Sequence, residues 1–185
     1  MIYAVSDLHF YHDREFIWKP RGFKSCQEMN DTLFRSWNNK VTNKDDVWVL
    51  GDFFLGQDNE SVRKTLNKLK GHIHLVIGNH DTPAKIKIYE EFGIDWYDAK
   101  RFVYNGRKFY LSHYPTHTSD LNGNPATAEY CLSGHTHNKE KFYEGRPYIY
   151  NVAVDAHRNN GFITSMDEIM ADIDNEINDC IRFLV

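Results

Sequence analysis

Three short apolar runs alternate with two amphipathic stretches, and this rhythm constrains the fold more than any other feature of the chain. Ile2 to Ser6 leads into Asp7-Leu8-His9. Val47-Trp48-Val49-Leu50 leads into Gly51-Asp52, and Ile73 to Ile77 into Gly78-Asn79-His80-Asp81. Between the first two runs, Ser25-Cys26-Gln27-Glu28 is a capping box, followed by Met29, Leu33, Trp37 and Val41 at four-residue spacing. Between the second and third, Val62, Leu66 and Leu69 mark another one-sided helix that stops at Gly71. The order is β-α-β-α-β, which calls for parallel strands with helical crossovers. A short helix is expected from Pro83 to Phe92.

The second half changes character. Arg101 to Tyr104 and Lys108 to Leu111 flank Asn105-Gly106, a hairpin turn signal. Tyr130 to Ser133 and Pro147 to Val152 are expected strands. Phe10 to Lys24 and Thr116 to Ala128 read as loops. Ser165-Met166-Asp167-Glu168 is a second capping box, and Ile169, Ile173, Ile177 and Ile181 predict a C-terminal helix.

Composition narrows the classes. A chain of 185 residues with 41% apolar and 15% aromatic content can bury a core, and one domain, 1–185, is expected. A net charge of −4 without blocks of like charge gives no sign of a nucleic-acid or membrane partner, and no clear protein partner. A homo-oligomer is compatible with it. No apolar run approaches the length of a membrane span. Met1 runs straight into Ile2-Tyr3-Ala4-Val5 without a basic leader, so no signal peptide is expected. Cys26, Cys131 and Cys180 lack C-x-x-C spacing, which favours a reducing, cytoplasmic setting.

Function concentrates in five clusters, the three above plus Ser112-His113-Tyr114-Pro115 and Gly134-His135-Thr136-His137. Singly, each reads equally well as a turn or a surface histidine. Jointly, after strands, they offer Asp7, His9, Asp52, Asn79, His113, His135 and His137 as metal ligands of mixed carboxylate, amide and imidazole type. Seven are too many for one ion and suit two ions that share a bridging carboxylate.

With all five clusters in this order, the chain resembles the calcineurin-like metallophosphoesterase superfamily, whose pattern is D-x-H, G-D, G-N-H-[DE], a lone H, then G-H-x-H. The resemblance implies an α/β fold, a four-layer α/β/β/α sandwich of two mixed β-sheets flanked by helices, with a dinuclear site at the sheet edges. By that resemblance Asp7, His9 and His137 hold one ion, Asn79, His113 and His135 the other, and Asp52 bridges. His80 is the implied catalytic acid, with Asp81 orienting it. Two ions roughly 3.5–4 Å apart can clamp a phosphoryl group and ionise a shared water. The implied cofactors are two divalent transition-metal ions; Mn is the expected one, and Fe, Zn, Ni or Co suit the same ligands.

Departures from the family's protein phosphatases bear on substrate. Those carry G-D-x-x-D-R-G, whereas here the stretch is Gly51-Asp52-Phe53-Phe54-Leu55-Gly56-Gln57, without the phosphate-gripping arginine. The chain is closer in pattern to small bacterial and phage phosphoesterases. His12 and Arg14 are candidate substrate-phosphate contacts in the arginine's place, with Lys19 or Arg21 as substitutes. The expected partner is a small phosphodiester, nucleotides included. A phosphomonoesterase would use the same motifs, whereas an inactive scaffold would need eroded ligands, and none is eroded. Phe10, Tyr11, Phe16 and Trp18 are candidates for packing or for stacking on a base. Asn151 and Asp155 are candidates for a turn or for supporting a ligand histidine.

Overall fold

The computed structural model describes residues 1–56, 58–118 and 128–182, without the side chains of 145 and 180–182. Strands β1 (Ile2–Val5), β2 (Asp46–Leu50) and β3 (His72–Val76) alternate with helices α2 (Cys26–Lys40) and α3 (Asn59–Leu66), and α4 (Pro83–Glu91) follows β3. The three strands are mutually parallel, with Tyr3 opposite Val47 and Val47 opposite Ile73. Two strands of this sheet went unread. Strand β4 (Asp95–Tyr97) extends this sheet in parallel beside β3, and β9 (Thr164–Ser165) closes the other edge antiparallel to β1. The five-stranded order is β4-β3-β2-β1-β9.

The Asn105-Gly106 hairpin forms as read, joining β5 (Lys100–Tyr104) to β6 (Arg107–Leu111). Both turn residues have positive φ, 46° and 80°, the backbone that a two-residue hairpin requires. Strands β7 (Glu129–Ser133) and β8 (Ile149–Asn151) then add in parallel, giving a second mixed sheet in the order β5-β6-β7-β8. The fold is therefore α/β, with two mixed sheets flanked by helices. Most of the loop expected over Thr116–Ala128 falls on 119–127, outside the described residues. Inside the expected 10–24 loop lies a helix of one turn, α1 (Glu15–Trp18).

Two apolar clusters hold the layers together. One face of the first sheet (Tyr3, Val5, Val47, Val49, Leu75) meets Met29, Leu33 and Trp37 of α2, Val62 of α3 and Ile88 of α4. The other face (Ala4, Leu50, Val76) meets the second sheet and α5 (Met166–Arg182), which brings Met166, Ile169 and Ile173. Ser25 Oγ caps α2 by accepting from Glu28 N at 3.1 Å. The return arm of that box is displaced, because Glu28 Oε2 accepts from Lys24 N and not from Ser25. The second box is complete: Ser165 Oγ accepts from Glu168 N, and Glu168 Oε2 accepts from Ser165 N.

Candidate metal centre

Each ligand cluster lies just beyond the carboxyl end of a parallel strand. Asp7 follows β1, Asp52 follows β2, Asn79 follows β3, His113 follows β6 and His135 follows β7. The two sheets are stitched at this edge, where Ser6 N donates to Val152 O and Val154 N donates to Ser6 O. All the clusters therefore meet in one cleft, as ligand sites at strand carboxyl ends do in open sheets.

The seven candidate ligands converge. Asp52 Oδ2 lies 3.6 Å from both His9 Nε2 and His113 Nε2. On one side, Asp7 Oδ1 lies 3.8 Å from His9 Nε2 and 3.7 Å from His137 Nε2, and those two nitrogens are 3.2 Å apart. On the other side, Asn79 Oδ1 lies 3.0 Å from His113 Nε2 and from His135 Nδ1. Asp7, His9, Asp52 and His113 are buried, whereas Asn79 and His135 face solvent. Tyr114 packs edge-on against His135, 4.6 Å between ring centres.

Local backbone presents these groups at some cost. Asp7, His9, Asp52, His135 and His137 all have φ between 48° and 70°. Such conformations are uncommon outside glycine and gather at functional sites. Two glycines allow the close approach. At Gly51 a Cβ would sit 2.8 Å from the backbone of Gly78 and overlap the His113 ring, and at Gly134 it would collide with Ser6 Oγ and Asp7 Oδ2.

Outer contacts set the tautomers. The Leu50 carbonyl can only accept, so His113 Nδ1–H donates to it at 2.9 Å and Nε2 turns a lone pair into the cleft. His137 Nδ1–H donates to Asp155 Oδ2 at 3.0 Å, which frees its Nε2 likewise. Asp155 in turn takes a two-pronged bond from the buried Arg21, Nε to Oδ1 at 3.0 Å and Nη2 to Oδ2 at 2.8 Å. Arg21 Nη2 also donates to the Asp7 carbonyl at 2.8 Å. Arg21 thus supports the site from behind, and its charge is committed to Asp155 and not to substrate. Asn151 also acts structurally: its Nδ2 donates to the carbonyls of Asn138 and Glu140, just after His137.

This arrangement fits divalent cations. Asp7 Oδ1 is buried without a hydrogen-bond partner. Burial pushes the Asp7 carboxyl up against the pull of His137 and His113, and pushes His9 far down, with Arg21 and nearby imidazoles adding to it. His135 is lowered by burial and by His113. Neutral imidazoles are the form that binds metal, and a buried carboxyl driven toward protonation needs a cation to stay ionised. His137 differs: burial pulls it down, but Asp155 and Asp7 together lift it. One donor atom each from Asp7, His9 and His137 lies within 4.8 Å of the others, as for Asp7, Asp52 and His113.

The remaining expectations sort by position. The His80 ring stands 5.6 Å from that of His9, and the backbone N–H of His80 donates to Asp52 Oδ1 at 2.9 Å. Asp81 makes no hydrogen bond to that ring among the described residues. It accepts from the amides of Asp52, Gly78 and Phe53 and from Tyr89 OH, so any orienting of His80 passes through the turn. His12 lies 5.3 Å from His9 between ring centres. Burial, then His80 and Arg14, hold its pKa at about 4, so near neutrality it offers a hydrogen bond and no charge. Arg14 is exposed at the N-cap of α1, outside the residues lining the cavity beside the ligands. Lys139 does line it, a residue that sequence reasoning passed over. Lys19 pairs with Glu15 on the surface at 3.1 Å. Phe10 is core, and Tyr11 bonds to Thr65.

Acidic and imidazole donors converging at the edges of two stitched sheets define a class, the proteins that hold divalent ions at strand carboxyl ends. The calcineurin-like phosphoesterase superfamily domain matches residues 1–161. The chain belongs to that superfamily, and membership supports metal-dependent hydrolysis of phosphoesters. An uncharacterized protein of Methanocaldococcus jannaschii, MJ1445, is 36% identical over 137 residues, covering 74% of this chain and 69% of that protein. The gene 66 protein of Mycobacterium phage L5 is 33% identical over 82 residues, or 43% of this chain and 39% of the phage protein. A solved protein of unknown function from Aquifex aeolicus, AQ665, superposes with a TM-score of 0.70 at 24% identity, over 92% of this chain and 98% of its own, which supports the fold. No helix among the described residues is long and apolar enough to cross a membrane.

Proposed function

We propose that the chain is a phosphoesterase with a dinuclear divalent-metal centre that favours small phosphodiesters, nucleotides among them. Asp7, His9 and His137 would hold one ion and Asn79, His113 and His135 the other, with Asp52 reaching both. The observation that carries this reading is the place of Asp52 Oδ2, 3.6 Å from an imidazole of each half. Divalent ions held there would polarise phosphoryl oxygens and make water nucleophilic at neutral pH. His80, on the cavity wall beside His9, would give a proton to the leaving oxygen. Among the described residues lining the cavity, Lys139 is the one fixed cation, which matches a singly charged diester better than a dianion. We also treat 1–185 as one domain, since α5, beyond the matched residues, buries Met166, Ile169 and Ile173 in the apolar cluster to which both sheets contribute. The free, buried thiols of Cys26 and Cys131 accord with a cytoplasmic setting.

The test joins metal content to a substrate panel in Mn²⁺. Two ions per chain are expected, and Asp52→Asn should weaken both and abolish turnover. Bis-p-nitrophenyl phosphate should exceed p-nitrophenyl phosphate in kcat/KM. One tightly bound ion in fully active protein would end the two-ion reading. A monoester preference above about tenfold would replace the diesterase with a monoesterase.

A further inference from the structure

The cavity beside the metal centre measures about 500 Å³, within the usual range for small-ligand sites. Its lining has two characters. His9, His137 and Asp155 belong to the metal centre and its support. Phe16, Ile17, Pro20 and Leu55 are apolar, and His12, His80 and Lys139 complete the lining. Ring contacts run from His9 to His12 at 5.3 Å and on to Phe16 at 5.6 Å, the last pair edge to face at 90°. Phe16 is 70% exposed, the most exposed large hydrophobic among the described residues, and the only one of them on this cavity. It is also well anchored. Ile17 beside it is buried, and Arg21 clamps the following turn to Asp155 and Asp7. An aromatic ring left bare on an anchored turn beside a reactive centre is a stacking platform with an open face.

We infer that this cavity receives the alcohol side of the phosphoester, and that Phe16 selects alcohols bearing a planar aromatic ring by stacking on it. The inference rests on the phosphoesterase reading and deepens it. A proton donor must face the oxygen that leaves, and His80 lines this same cavity, so the departing group lies here and not over Asn79 and His135. The ring is either a nucleobase, one ribose away from phosphorus, or an aryl group joined directly to the ester oxygen. Both present the same flat apolar face to Phe16.

Calorimetry on the Mn²⁺-loaded protein tests this with hydrolysis-proof phosphonates. Phenylphosphonate is compared with methylphosphonate, and the 5′-methylenephosphonate of adenosine with that of ribose. The ring-bearing member of at least one pair should bind about tenfold tighter or more, the scale of base–aromatic stacking. Phe16→Ala, a change at an exposed side chain, should shrink that difference to about twofold and leave methylphosphonate affinity unchanged. Preference in the adenosine pair identifies a nucleotide site, and preference in the phenyl pair alone an aryl-ester site. Equal affinities within both pairs, with diester hydrolysis intact, overturn this inference alone, as does a preference that survives Phe16→Ala. Ring preference in a protein that hydrolyses no phosphoester overturns the phosphoesterase reading and leaves the subsite standing. Failure of all four to bind overturns this inference alone where diester hydrolysis is intact, and overturns both readings where no phosphoester is hydrolysed.

Discussion

His80 hangs over the cavity from a turn whose N–H is tied to Asp52, yet its imidazole is not among the converging donor atoms. That separation allows a prediction at the scale of one side chain. His80→Ala should keep its full metal content and lose on the order of 10²- to 10⁴-fold in rate. The loss should shrink for p-nitrophenolate, which leaves without much help from an acid, and grow for alkoxides. Equal losses for both leaving groups would refute proton donation, and loss of metal would make His80 a ligand. The candidate ligands were legible because each is a local word, a short polar cluster at the end of an apolar run. Lys139 was not, and Arg21 and Phe16 were read only as alternatives, Arg21 as a substitute phosphate contact and Phe16 for packing or for stacking on a base. Each sits in a stretch without periodicity, where a buried clamp, a cavity lysine and a bare platform look the same as solvated loop. Only burial and partners separate them, and those depend on strands far away in sequence.

One turn of helix and the loop around it carry more of the site than their length suggests. Helix α1 escaped the sequence reading because four residues are too few to show a 3.6-residue period. Strands β4 and β9, of three and two residues, escaped for the same reason. The longer elements α2, β2, β3 and the hairpin were read nearly to their ends. Leu69 lies past the end of α3 yet still packs on the core, so the apolar period outran the helix. Behind α1, Arg21 is 1% exposed and Asp155 9%, and their pair closes the 19–24 segment over β1. Arg21→Met would strand Asp155 as a buried charge and release the Asp7 carbonyl. The expected cost is about 3 kcal/mol in urea denaturation, as for one-sided loss of a buried pair. Through Asp155 and His137, metal affinity should weaken on the order of 10- to 100-fold. Stability and metal titration both matching the parent would show that the clamp has no hold on the centre.

At the scale of the whole molecule, the site exists only because two sheets share an edge. The parallel crossovers of the first sheet were legible from alternation, but the parallel docking of β7 and β8 was not, since strand direction in the second sheet depends on segments without pattern. Closure of the first sheet depends on a contact between distant parts. Lys40, in the last turn of α2, donates to the carbonyls of Ile163 and Asn160 and pairs with Glu168 at 3.0 Å. Glu168 completes the capping box that starts α5 next to β9. Burial pushes the Glu168 carboxyl up, but the Ser165 amide and Lys40 outweigh it and hold its pKa below the ordinary value. A carboxyl depressed in the folded state stabilises above its unfolded pKa, and that contribution disappears as pH falls through the folded one. Its side chain is 42% exposed, so the effect is discounted to about 1 kcal/mol, the size of a cap with a surface pair. Glu168→Gln should therefore lower the urea midpoint of metal-free protein at about pH 7 and match the parent at about pH 3. Removing metal first keeps acid-driven release of metal from entering the comparison. A deficit of the same size at both pH values would show that Glu168 acts through shape and hydrogen bonding, and that its charge does not hold α2, β9 and α5 together.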